Sequence, residues 1–119
     1  MATAVKRVLS GSTSGKAIKI ATTATPGTLI HTAVAGTTPG TYDEIWLWGF
    51  NSVSSDVLLT VEFGGVSVPD DIMYTTLLGR YGWIPLAPGY ILQNSLVVRA
   101  FANQANVATI IGFVNNMTD

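Results

Sequence analysis

Asp43-Glu44-Ile45-Trp46-Leu47-Trp48-Gly49-Phe50 is the stretch on which the reading of the fold turns. In an extended chain successive side chains point to opposite faces, so Glu44, Trp46, Trp48 and Phe50 share one face and Ile45, Leu47 and Gly49 the other. Both faces are largely apolar, which a strand covered on one side only does not require. One set is therefore expected in a core, and the other against a second covering layer contributed by a neighbouring subunit.

The segments on either side repeat the strand pattern. Downstream, residues 57–63 alternate, with Val57, Leu59, Val61 and Phe63 on one face and Leu58, Thr60 and Glu62 on the other. Gly64-Gly65 is read as a tight hairpin into residues 66–68. Pro69-Asp70-Asp71 breaks the run, and residues 72–78 resume it. Gly79-Arg80-Tyr81-Gly82 is a glycine-bracketed loop before residues 83–86, and Ala87-Pro88-Gly89 a turn before residues 90–93. Residues 96–102 and 107–114 read as a closing hairpin. Upstream, residues 4–9, 16–22 and 28–34 are extended candidates. Two Thr-Pro-Gly-Thr turns (25–28 and 38–41) follow type II chemistry, proline fixing the first central φ and glycine accepting a positive one. Thr, Val, Ile, Gly and aromatics dominate, and they suit a pleated surface. Together these signals give about eight to ten short strands and no helix, the signature of an all-β protein. The expected architecture is a single antiparallel β-sandwich, jelly-roll-like, with residues 1–15 as a basic N-terminal segment carrying the first strand and residues 16–119 as the sandwich.

Composition narrows the function classes. The chain has 119 residues and a net charge of −1, from 6 basic and 7 acidic side chains, and contains no cysteine. Disulfides, thiolate metal sites and cysteine nucleophiles are excluded. Charged residues make up 11%, against about 25% in average soluble proteins. The exterior must then be built from Thr, Ser, Asn, Gly and Ala with apolar patches left over, and such patches mark interaction sites. A homo-oligomer with closed rotational symmetry is the expected outcome. No apolar run approaches the length of a membrane-spanning helix.

The candidate chemistry is sparse. His31 is the sole histidine, without cysteine or a second histidine to complete a zinc site. It is read as structural, with no Ser-His-acid arrangement in prospect. Asp70-Asp71 and Asp43-Glu44 are read as solvated turns, and the glycine pairs as turn chemistry without the context of a phosphate loop. No enzyme, cofactor or metal site is expected. Lys6, Arg7, Lys16 and Lys19 precede every acidic residue in the chain, whereas Asp43 to Asp71 contain no base. Four bases neutralise few phosphates and no aromatics interleave with them, so nucleic acid is not expected; the basic end is read either as scattered solvated strand edges or as docking onto an acidic surface, within one fold or between copies. Trp46, Trp48, Phe50, Tyr81 and Trp83 are the candidates for the subunit interface, since Trp and Tyr dominate buried contact centres.

Taken as a whole, the chain resembles small β-rich virion proteins of tailed bacteriophages, in particular capsid decoration (cement) proteins. The segments behind the resemblance are VKRVLSGSTSGKAIKI, IHTAV, DEIWLWGFNSVSSDVLLTVEFGG and PGYILQNSLVVRAFANQANVATIIGFVNNMTD. The resemblance implies a trimeric jelly-roll-like unit on the outside of the phage head, bound to the major capsid protein and bracing the shell. It also implies docking through an N-terminal segment, which here carries Lys6, Arg7, Lys16 and Lys19. The alternative expectation is a tail or head-fibre module that binds host carbohydrate.

Overall fold

The structure, a computed structural model, describes residues 2–77, 79 and 82–119. Among them are nine strands: β1 (Thr3–Val8), β2 (Ile18–Lys19), β3 (Thr28–Thr32), β4 (Tyr42–Asn51), β5 (Val57–Phe63), β6 (Ile72–Leu77), β7 (Trp83–Leu92), β8 (Val97–Ala102) and β9 (Ala108–Thr118). They form two antiparallel sheets. Sheet A runs β1-β9-β4-β7, with β2 also paired to β9, and sheet B runs β3-β8-β5-β6. The pairs β1–β9, β3–β8, β4–β7 and β5–β6 are nested one inside the next and fall alternately in A and B. That is a rolled-up hairpin, the jelly-roll arrangement of the two-sheet sandwich.

The core lies between the sheets. Ile45 and Leu47 from β4, Val57, Leu59 and Val61 from β5, Val98 and Ala100 from β8, and Ile110 and Val114 from β9 are all essentially excluded from water. Each large aliphatic side chain removed from water in this way contributes roughly 1.5–3 kcal/mol. The central stretch behaves as its alternation predicts, with Ile45, Leu47 and Gly49 buried and Trp46, Trp48 and Phe50 on the outer side.

Several local expectations are corrected. The closing hairpin does not exist: β8 pairs with β3 and β5, whereas β9 pairs with β1, β2 and β4. Nested rolling sends each of the two strands to its own earlier partner, and neither pattern nor loop length encodes that choice. Residues 83–86 and 90–93 are one strand, because two register shifts against β4 absorb the Ala87-Pro88-Gly89 turn signal. Residues 66–68 form no strand; the whole 64–71 segment is the connection from β5 to β6, closed by Phe63 N–H to Asp71 C=O at 2.7 Å. Of residues 16–22 only Ile18–Lys19 is ladder-paired. The first Thr-Pro-Gly-Thr is not a type II turn. Gly27 is buried against the Ala100 backbone, where an added Cβ would lie 2.4 Å from the carbonyl oxygen, and only Gly40 of the two turn glycines has a positive φ.

Candidate functional site: an aromatic sheet face and a buried latch

On the outside of sheet A, cross-strand register assembles an apolar lattice. Trp46 stands between Phe113 of β9 and Pro88 of β7, Trp48 between Ile111 and Pro85, and Phe50 between Thr109 and Trp83. The Trp46 ring lies 6.3 Å from that of Trp48 and 6.2 Å from that of Phe113, with interplanar angles of 21° and 14°. Phe50 and Trp83 pair at 6.3 Å. Beyond β9, the Lys6 ammonium sits 4.6 Å from the centre of the Phe113 ring, and Val8 stands opposite Phe113. Trp83 is 63% exposed and Val8 53%, and Phe50 and Ile111 are exposed as well. Among the described residues no other segment covers the exposed members of the lattice. Glu44 borders it, accepting from Trp46 Nε1 at 2.7 Å and Asn115 Nδ2 at 3.0 Å. These two donors, Asn115 first, hold its carboxyl below the usual glutamate range against a small opposing effect of burial.

Trp46, Trp48, Phe50 and Trp83, expected at an interface, are thus brought onto one surface, while Tyr81 lies outside the described residues. The basic set is divided differently. Lys6 shares the aromatic face, Arg7 projects from the other side of β1, and Lys19 lies farther along the same edge of sheet A in β2, with Lys16 two residues before that strand.

The expectations of a solvated Asp43 and of no Ser-His-acid arrangement are corrected, while His31 is structural as expected. Asp43 is no solvated turn residue; it is buried within β4, and it forms with His31 and Ser10 the Ser-His-acid chain that spacing gave no reason to expect. Ser10 N–H donates to His31 Nδ1 at 3.0 Å, which fixes the ring proton on Nε2, and Nε2 donates to Asp43 Oδ2 at 2.7 Å. Val34 N–H reaches the same oxygen at 3.1 Å, and Asn116 Nδ2 holds Oδ1 at 2.8 Å. Ser10 Oγ lies 3.2 Å from Nδ1 and accepts from Thr32 N–H at 2.7 Å. The Nδ1 lone pair is therefore engaged by the serine's own amide, and the described residues open no cavity of ligand size. What this geometry does is latch four pieces together: the corner after β1, strand β3, strand β4 and the end of β9. Burial of each charged or polar group is compensated by a partner. The signal missed in the sequence is the position of Asp43 and Asn116 directly opposite each other across β4 and β9, which depends on a strand pairing that the pattern leaves open.

A second buried carboxylate lies on the outside of sheet B. Glu62 is 1% exposed and accepts from Gly27 N–H at 2.6 Å and from the Thr25 hydroxyl. Arg99, its cross-strand neighbour, donates to the Gly27 carbonyl at 3.3 Å. The segment before β3 is thereby drawn down over this face.

Compared with family models, curated proteins and solved structures, the chain matches none, so its function is argued from the geometry above.

Proposed function

We propose that this chain is a non-enzymatic structural protein that works as an oligomeric subunit on the surface of a larger particle, its aromatic face being the surface by which it is built in. The observation that carries this reading is the uncovered lattice of Trp46, Trp48, Phe50, Trp83, Ile111 and Phe113 on sheet A. Exposed apolar patches of this kind are interaction sites in soluble proteins, and Trp-rich centres supply most of the binding energy in protein contacts. The particle we propose is a tailed-phage head, with the major capsid protein as partner and capsid decoration as the role; this part rests on the resemblance of the sequence.

Quantitative mass spectrometry of purified particles tests it. Decoration requires hundreds of copies per particle, and a Trp48→Ala/Trp83→Ala variant that folds yet fails to add to particles lacking the protein. Absence from particles ends the proposal. A second reading is favoured by one feature, the 63% exposure of Trp83 beside Phe50: a sugar-stacking surface on a tail or head fibre. Glycan binding lost in Trp83→Ala, with a handful of copies per particle, would favour it.

A further inference from the structure

We infer that copies of this chain meet side by side, the β1–β2 margin of one against the β5–β6 margin of the next. The inference rests on the self-association proposed above and supplies its interface.

Sheet stacking puts these margins on opposite sides of the molecule. The corner after β1 lies over β3, where Ser10 bonds His31 and Thr32. The end of β5 lies over β7, where Phe63 meets Tyr90 edge-on at 6.1 Å. The β1–β2 margin carries Lys6, Arg7, Lys16 and Lys19, all exposed. Among the described residues the one close contact between a basic and an acidic side chain is the His31–Asp43 hydrogen bond, and none of these four bases is paired with a described acidic group. The opposite margin carries exposed Asp70 and half-buried Asp71 leading into β6, and exposed Asp56 leading into β5. Arg80 follows β6 in the sequence, so the acidic sign of that margin rests chiefly on Asp70 and Asp71.

Position along the strands matches as well as sign. Lys6 and Arg7 stand opposite Asn115 and Val114, toward the Tyr42 end of β4, and Lys19 opposite Thr109, toward its Asn51 end. Asp70 and Asp71 lie at the end of sheet B that packs by Tyr90 and Ile45. Asp56 lies at the other end, where Asn51 Nδ2 bonds the Ser55 carbonyl at 2.8 Å. A rotation axis parallel to the strands therefore brings Lys6 and Arg7 to Asp70 and Asp71, and Lys16 and Lys19 to Asp56. Such a head-to-tail contact closes into a ring when the rotation angle permits.

Strand β1 suits this contact. All six of its residues are exposed, it is held only by β9, and it contains no proline. β7, the other edge of sheet A, is blunted by Pro85, Pro88 and two register shifts. Pairing copies through the margins leaves the aromatic face free for the larger particle. This exchanges the allocation expected from the sequence, which gave the aromatics to the subunit contact and the bases to the shell.

Light scattering on the full chain tests the inference. Between about 0.1 M and about 1 M salt the screening length shrinks from about 10 Å to about 3 Å, and the oligomer is expected to weaken at least tenfold. Arg7→Glu and Asp70→Lys should each shift the protein to monomer at concentrations where the original chain assembles, with thermal unfolding unchanged when compared at dilutions where all are monomers. The combined Arg7→Glu/Asp70→Lys chain should recover the oligomer. Salt-insensitive assembly that survives both reversals and is lost in Trp83→Ala overturns the margin contact while self-association stands. A monomer at every concentration for the unaltered chain overturns self-association itself.

Discussion

The two outer faces of this sandwich are finished in opposite ways. On sheet B the chain covers part of its own surface: Thr25 and Gly27 fold down onto Glu62, and Arg99 ties the same segment from the neighbouring strand. On sheet A no described segment returns over Trp46, Trp48, Phe50 and Trp83. The covered patch around Glu62 is polar and satisfied by hydrogen bonds within a single chain, with Leu58 and Tyr74 exposed farther along the same sheet, and the open lattice on sheet A is apolar. A buried carboxylate demands partners wherever the protein is, so its cover must be intramolecular. An apolar lattice loses only the benefit of burial while it waits, and gains it when another surface arrives. The difference separates what holds the monomer together from what is kept for assembly.

The largest effect should come from breaking the closed face. Glu62→Ala removes the acceptor for the Gly27 amide and the Thr25 hydroxyl, leaving both donors without it beneath the 22–28 segment. Hydrogen bonds to a charged group contribute about 1.5–3 kcal/mol each, so a loss of about 3 kcal/mol is expected in urea unfolding. Amide exchange at Gly27 should accelerate well beyond that in the core strands. If Glu62→Ala is neutral, the segment is held by something other than the carboxylate, and the contrast between the faces weakens.

The open face should respond in the reverse sense. Phe50→Ser and Trp83→Ser sit on exposed side chains and should change monomer stability by no more than about 0.5 kcal/mol. Binding to the partner surface should nevertheless fall more than tenfold, as for truncated aromatic anchors at protein contacts. A large loss of stability with unchanged binding would show that the lattice is a core feature of the monomer. At the margin of the same face, Lys6→Ala removes one cation over the Phe113 ring, a change expected to cost about 0.5 kcal/mol at an exposed site.

The covered and the open surfaces were not equally legible in the sequence. The aromatic face was readable because it depends on one strand's own alternation: Trp46, Trp48 and Phe50 share a side whatever β4 pairs with. The sandwich followed from the same local periodicity. The latch was not readable, because it needs Asp43 opposite Asn116, residues 73 positions apart, and that follows only once β4 and β9 are neighbours. Glu62 was hidden for a related reason. Alternation placed it on the outward side of β5, where a carboxylate ordinarily meets water, and only the long-range fold of the 22–28 segment buries it. The missed hairpin belongs to the same class, since β8 and β9 are adjacent in sequence but roll into different sheets. Local chemistry fixes which way side chains point; it carries little information about which strand arrives beside them.

Glu44 gives the smallest effect and the finest probe of the open face. Its carboxylate accepts from Asn115 Nδ2 and Trp46 Nε1 through the same oxygen, and both bonds favour the charged form, so its folded pKa lies below the usual glutamate value. A lowered folded pKa means that the unfolded chain takes up the proton first as pH falls. The associated stability is therefore complete above the ordinary glutamate range and is lost as pH drops through the lower folded value. Glu44→Gln should flatten that acid slope by removing the increment present near neutrality, while leaving stability in acid almost unchanged. The indole N–H resonance of Trp46 should move with the same midpoint in the original chain. When a partner covers the aromatic lattice, Glu44 at its border loses solvent and the midpoint should shift; an indole titration identical in free and assembled protein would place the contact elsewhere than on this face.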